Sequence, residues 1–131
     1  MTRRARLGLR CLPLLLLPAT ACGLAQDPTA AAASATMGAA VFQKYCALCH
    51  GEQADGNGVA AHLHDPRPAN LTISPYTDAY KENIIRNGGK ALGRSAGMPP
   101  WGKQLSDAEI KSVVAYLRTL RDLRSLNDVL Q

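Results

Sequence analysis

Five consecutive residues, Cys46-Ala47-Leu48-Cys49-His50, restrict what this chain can fold around more than any other feature of its 131 residues. One helical turn places the two thiols on one side, and the next residue is an imidazole. That spacing suits covalent haem attachment: each thiol adds to one vinyl group of a single haem, and His50 reaches the iron through a ring nitrogen. Two other readings use the same residues. A thioredoxin-like redox pair needs its C-x-x-C beside a βαβ unit, and no strand pattern is present. A zinc site needs three or four ligands, which Cys46, Cys49 and His50 with His62 or His64 would supply. The direct adjacency of Cys49 and His50 favours haem.

The amino-terminal segment fits that reading, because haem of this kind is attached outside the cytosol. Arg3, Arg4, Arg6 and Arg10 precede an apolar run at Leu12–Leu17, and the small residues Ala19, Thr20 and Ala21 follow. This is the pattern of an export signal over residues 1–22, and the run is too short to span a bilayer. Cys11 leaves with the signal and Cys22 sits at its end, so no cysteine pair beyond Cys46 and Cys49 remains for a disulfide framework. The formal charge of +5 belongs mostly to this leader. Four of the fifteen Lys and Arg precede Cys22 and none of the ten Asp and Glu do, which leaves +1 on the rest. A nucleic-acid-binding surface is therefore not supported.

Residues 23–36 read as a flexible linker, since Pro28 and the Ser/Thr content oppose a long helix in spite of the alanines. A globular domain is expected over 37–123, with a tail at 124–131. Three helices are expected. The first runs over Gly38–Cys49, with Val41, Phe42, Tyr45 and Leu48 at helical spacing. The second runs over Asp78–Asn87, capped by Thr77 and stopped by Gly88 and Gly89. The third starts at the capping box Ser106/Glu109 and carries Ile110, Val113, Val114, Leu117 and Leu120 on one face. Residues 51–76, rich in Gly, Pro, Asn and Asp, read as a loop that wraps something, and a segment this small needs a cofactor to complete its core.

Several stretches together resemble the class I cytochrome c family: Gly38 and Phe42, CALCHGEQADGNG at 46–58, GMPPW at 97–101 and LSDAEIKSVVAYLRTL at 105–120. The resemblance implies an all-α cytochrome c fold, with three or more short helices wrapped around one covalently bound haem c and its iron. It also implies a methionine as second axial ligand beside His50. Met98 in the loop GRSAGMPPWG fits; Met37 lies too close to the first helix, and His62 and His64 are rivals. The Pro68-Ala69-Asn70-Leu71 stretch resembles a family segment whose Pro68 carbonyl would accept from His50, with Pro66 as a rival. Trp101 is expected either to donate its indole N–H to a haem propionate or to pack. Gly38 and Phe42 are expected to meet Tyr116 and Leu117 where the first and last helices cross.

The resemblance implies a one-electron carrier without catalytic residues, serving redox protein donors and acceptors such as membrane-bound respiratory complexes. A fixed subunit of a larger oxidoreductase is one alternative. A haem enzyme or gas sensor with a labile sixth ligand is another. Leu17-Pro18-Ala19-Thr20-Ala21-Cys22-Gly23 resembles a lipoprotein cleavage site, with Ala19 where the pattern usually has Leu. Lipid on Cys22 would contribute about 0.8 kcal/mol per buried CH₂. The protein is then expected in the membrane fraction after a salt wash, and Cys22→Ser should release it with an unchanged visible spectrum. Wild-type protein in the soluble periplasmic fraction, with an unmodified terminus by mass, would exclude the tether.

Overall fold

The computed structural model describes residues 28–131, and the export signal, Cys22 and residues 23–27 of the expected linker lie outside the described residues. Four α-helices follow one another: α1 at Pro28–Tyr45, α2 at Ala47–His50, α3 at Asp78–Ala91 and α4 at Asp107–Val129. A single 3₁₀ turn, Ala61–Leu63, interrupts the long loop between α2 and α3. No strand occurs among the described residues.

The fold is organised by the crossing of α1 over α4. Gly38 is what lets them approach: a Cβ there would lie 1.8 Å from the Ser112 carbonyl oxygen and 2.9 Å from the Val113 nitrogen. The neighbour of Gly38 is therefore the backbone at Ser112–Val113. Phe42, one turn later and 1% exposed, meets Tyr116 with ring centroids 5.5 Å apart and planes tilted by 55°. Val41, Ile85, Leu105, Ile110, Val113, Val114 and Leu117 complete a small core. Ser112 is buried on the same face and its Oγ donates to the Glu109 carbonyl at 2.7 Å, which satisfies it within the helix.

The helix ends follow the capping signals. Ser106 Oγ accepts from the Glu109 N–H at 3.3 Å while Glu109 Oε2 accepts from the Ser106 N–H at 2.8 Å, a complete capping box. Thr77 accepts from the Tyr80 N–H at 3.3 Å at the start of α3. Arg86 pairs with Asp107, and Arg118 with Asp78, so α3 is pinned to α4 near both of its ends. These pairs are exposed to water, which screens them, so their contribution to stability is small.

Three expectations are corrected. The stretch expected as linker is helical from Pro28 onward. Proline at the first helical position loses no hydrogen bond, because that N–H has no helical partner, and the alanines that follow have the highest helix propensity. The stretch expected as a tail belongs to α4, which runs on to Val129. Beyond Leu120 it buries nothing, and Leu123, Leu126 and Val129 are exposed. Helix propensity, with an Arg124–Asp128 pair at 4.0 Å one turn apart, carries it there. The first expected helix is also divided, since α1 ends at Tyr45 and α2 begins at Ala47.

The crossing makes a direct prediction. Gly38→Ala should destabilise the protein by about 1–3 kcal/mol or more, because the methyl meets backbone that cannot step aside. Ala40→Ser, on the exposed side of the same helix, should stay within about 0.5 kcal/mol. Denaturant unfolding of the two variants measures the difference.

Candidate functional site

A cavity of about 530 Å³ lies between the α1–α2 corner, the long loop, α3 and the loop before α4. Its size falls within the range of ordinary ligand sites. Cys46, Cys49 and His50 line it on one side, and Met98 and Trp101 line it too. The local backbone explains how the first three converge. The His50 N–H donates to the Cys46 carbonyl at 2.9 Å, and the Gly51 N–H to Ala47 at 2.8 Å. Gly51 then turns the chain with φ +81°, a left-handed value that favours glycine.

Cys46 and Cys49 form no disulfide with one another. Burial pushes the Cys46 thiol up to about 11, with Cys49 adding to the effect, so Cys46 stays protonated at neutral pH. Cys49 Sγ lies 3.6 Å from His64 Nε2. His50 Nδ1 lies 3.1 Å from the Ala69 carbonyl oxygen. A carbonyl only accepts, so Nδ1 carries the proton and Nε2 is left with its lone pair, the form that ligates a metal. Burial holds the His50 pKa below its ordinary value; the Ala69 hydrogen bond opposes that shift and His64 adds to it.

The acceptor for His50 is therefore Ala69, and the expectations of Pro68 and Pro66 are corrected. Pro68 lines the cavity, but its carbonyl faces Gly56: a Cβ on Gly56 would lie 2.7 Å from it. The extra residue Ala69 moves the acceptor one place along the chain. Trp101 packs against Tyr45 at 5.4 Å between ring centroids, and its backbone N–H donates to Ile85 at 2.8 Å. His64 reaches the cavity, whereas His62 is exposed and does not line it.

Met98 has a seat that the sequence pattern did not suggest. Gly88 and Gly89 were expected only to stop α3. Gly88 does interrupt it, with φ +76°, but both glycines also receive the Met98 loop. The Gly89 N–H donates to the Met98 carbonyl at 2.9 Å. A Cβ on Gly88 would lie 2.8 Å from the Pro100 nitrogen, and one on Gly89 2.2 Å from the Ser95 carbonyl oxygen. A double glycine followed nine residues later by Met-Pro-Pro is the signal that could have shown this.

The electrostatics of the cavity are one-sided. Arg67, Lys81 and Arg94 line it together with His50 and His64, and no Asp or Glu does. Lys81 is 5% exposed and its Nζ, shielded from solvent, has no hydrogen-bond partner. Burial, then Arg121, lowers its pKa. An apolar cavity with free thiols, a neutral imidazole, a thioether and unmatched positive charge suits a large flat ligand bearing carboxylates. Haem, with its vinyl groups, iron and two propionates, has that chemistry, so the residues present fit it. No group of three or more His, Cys, Asp or Glu side chains able to hold a bare metal ion occurs among the described residues, so the zinc reading gains no support.

The comparisons with known proteins agree with the geometry. A family model described as "Cytochrome C oxidase, cbb3-type, subunit III" matches residues 33–117. The cbb3-type cytochrome c oxidase subunit CcoP of Azospirillum brasilense is 35% identical over 89 residues, which is 68% of this chain and 29% of that protein. The cytochrome c subunit of the quinone alcohol dehydrogenase of Gluconacetobacter polyoxogenes is 33% identical over 107 residues, 78% of this chain and 21% of that protein. Among solved structures, the Kuenenia stuttgartiensis reducing HAO-like protein complex contains a chain with TM-score 0.56 and 32% identity, covering 64% of this chain and 41% of that one. The chain thus spans less than a third of the length of the curated relatives it matches.

The Gly56–Pro68 contact can be tested. Gly56→Ala and Gly93→Ala both place an alanine at positive φ, which costs about 1–2 kcal/mol. Only Gly56→Ala also strikes the Pro68 carbonyl, since nothing lies within 4 Å of a Cβ on Gly93. Gly56→Ala should therefore lower the thermal midpoint more than Gly93→Ala. Equal effects would mean that the segment carrying Ala69 is not held at Gly56.

Proposed function

Because the chain belongs to the cytochrome c family described as cytochrome c oxidase, cbb3-type, subunit III, a family that implies covalent haem c with iron, we propose that it carries single electrons outside the cytoplasmic membrane for a larger oxidoreductase. The observation that carries this reading is one cavity lined by Cys46, Cys49, His50 and Met98.

In this reading Cys46 and Cys49 would hold the haem through two thioethers, and His50 and Met98 would be the residues that ligate its iron. The haem supplies a metal that changes oxidation state by one electron. The protein's part is to hold that metal still and keep its surroundings apolar. His50 is oriented by Ala69, which selects Nε2 for the iron and strengthens it as a ligand. Met98 brings a soft thioether that favours Fe(II) and raises the potential. Its loop is fixed on Gly88 and Gly89, which would hold Met98 in place in either oxidation state. Trp101, which packs against Tyr45 in the cavity wall, would have its indole N–H as a donor for a propionate. With His50 and Met98 both on the iron, small molecules would have no open site, and no catalytic residue is assigned. The seat of Met98 also argues against the gas-sensor alternative.

The relatives named above are subunits of oxidoreductases, which favours action within or beside such a complex over free diffusion. The leader at 1–22 supports export to the periplasm, and Cys22 supports a lipid tether with membrane-bound redox partners. No described helix is long and apolar enough to cross a membrane.

The haem-loaded protein should titrate as a single one-electron couple, and its ferrous form should not bind CO rapidly. Met98→Ala should lower the potential and open the iron to CO, since the ligand that favours Fe(II) has gone. Met37→Ala should do neither. An unchanged spectrum and potential in Met98→Ala would overturn the ligand assignment and leave His64, which reaches the cavity, as the residue to replace next.

A further inference from the structure

The cationic groups in the cavity wall need a negative partner that the wall does not contain. Arg94 is the one built into a cluster. Its Nε donates to the Tyr80 hydroxyl at 3.2 Å and its Nη2 to the Tyr76 hydroxyl. The guanidinium also sits over the Tyr76 ring, 5.3 Å from its centroid. Tyr76 and Tyr80 are themselves stacked, with centroids 4.3 Å apart and planes 20° from parallel. These phenol oxygens accept hydrogen bonds without bringing a negative charge, and they occupy only part of the five-donor guanidinium fork. Arg94, Tyr76 and Tyr80 all line the cavity.

Arg94 is also part of the loop that presents Met98. Its backbone N–H donates to the Gly89 carbonyl at 2.8 Å, and Gly89 in turn donates to the Met98 carbonyl at 2.9 Å. Whatever fixes the Arg94 side chain therefore fixes the base of the Met98 loop. A carboxylate is the natural partner for the remaining donors, since a charged pair is stronger than a neutral hydrogen bond and a fork can bind both oxygens.

We propose that Arg94, held by the Tyr76 and Tyr80 hydroxyls, is a propionate-binding residue of this cavity and through that pair positions the Met98 loop. This rests on the haem reading given above. Arg94 is a positioning residue, since it acts on the iron through Met98 and through the charge of the propionate. Lys81, buried in the same wall, is a second cation on that side. The other titratable and charged groups that line the cavity are Tyr45, Cys46, Cys49, His50, His64 and Arg67.

The sign of the effect follows from charge. An ionised propionate stabilises Fe(III), so its protonation raises the reduction potential. A guanidinium beside it keeps it ionised to lower pH, by about one to three units for a close opposite charge. The test is the reduction potential of the haem-loaded protein as a function of pH in a His64→Gln background, which removes the histidine that lines the cavity besides His50. With Arg94 present, the potential should be nearly flat from mildly acidic to mildly basic pH. In Arg94→Leu the ionisation midpoint should rise by about one to three pH units, so that the potential falls as pH rises through that window. Arg94→Lys should restore most of the flat profile. Arg94→Leu should also lose its Met–iron absorption band at lower pH on alkaline titration, and Tyr76→Phe with Tyr80→Phe should move in the same direction by less. Superimposable pH profiles with and without the Arg94→Leu substitution would overturn the proposal. Failure to find haem on the denatured protein would instead overturn the haem reading, and the mass of the same sample tells the two apart.

Discussion

Where α1 crosses α4, the Gly38 backbone rests against the Ser112 carbonyl with no side chain between them. The position of the cavity follows from that contact. It sets how far the α1–α2 corner, which carries Cys46, Cys49 and His50, stands from α3 and the loop of Met98. Phe42 and Tyr116, one turn further on, stiffen the crossing, and Ile110, Val113, Val114 and Leu117 provide the apolar floor. The core so made is small. A domain of this size buries little apolar surface of its own, and the large cavity beside the core is where a rigid, mostly apolar cofactor completes it.

The same wall performs two tasks that oppose each other. Binding an iron porphyrin calls for apolar walls, while binding its carboxylates calls for cations. The chain separates them: Phe42, Leu71, Ile84, Ile85 and Val113 stand beside Lys81, Arg67 and Arg94, with no acidic side chain in the lining. Burying an unpaired ammonium such as Lys81 is unfavourable by itself, and its lowered pKa expresses that. The one-sided charge makes sense once an anionic ligand is counted, and it identifies the residues through which the protein can tune the ligand's potential.

How much of this could be read from the sequence varies with what carries the information. The all-α fold, the capping box at Ser106 and Glu109, and the Thr77 cap depend on side-chain type at fixed spacing, and they were legible. Cys46, Cys49, His50 and Met98 stand out in the sequence, and the structure brings them to one cavity. What depends on backbone was not legible. The acceptor for His50 is a carbonyl, which every residue possesses, so Pro68 and Ala69 could not be told apart until the Pro68 carbonyl was seen to face Gly56. The helix at 28–36 is hidden in the sequence by Pro28, which reads as a breaker although at a first helical position it is harmless. Lys81 could have been found: it stands one turn before Ile85 on the apolar stripe of α3, where a charged residue is out of place.

Haem in this cavity stands or falls on one covalent fact, that the two thiols at its lip are bonded to a single tetrapyrrole. The most direct measurement is the intact mass of the protein after denaturation in acid and organic solvent, followed by peptide mapping. The predicted result is a mass greater than the polypeptide by one haem, with the added mass on the peptide containing Cys46 and Cys49. A polypeptide of unmodified mass, with its haem left in the solvent, would contradict it.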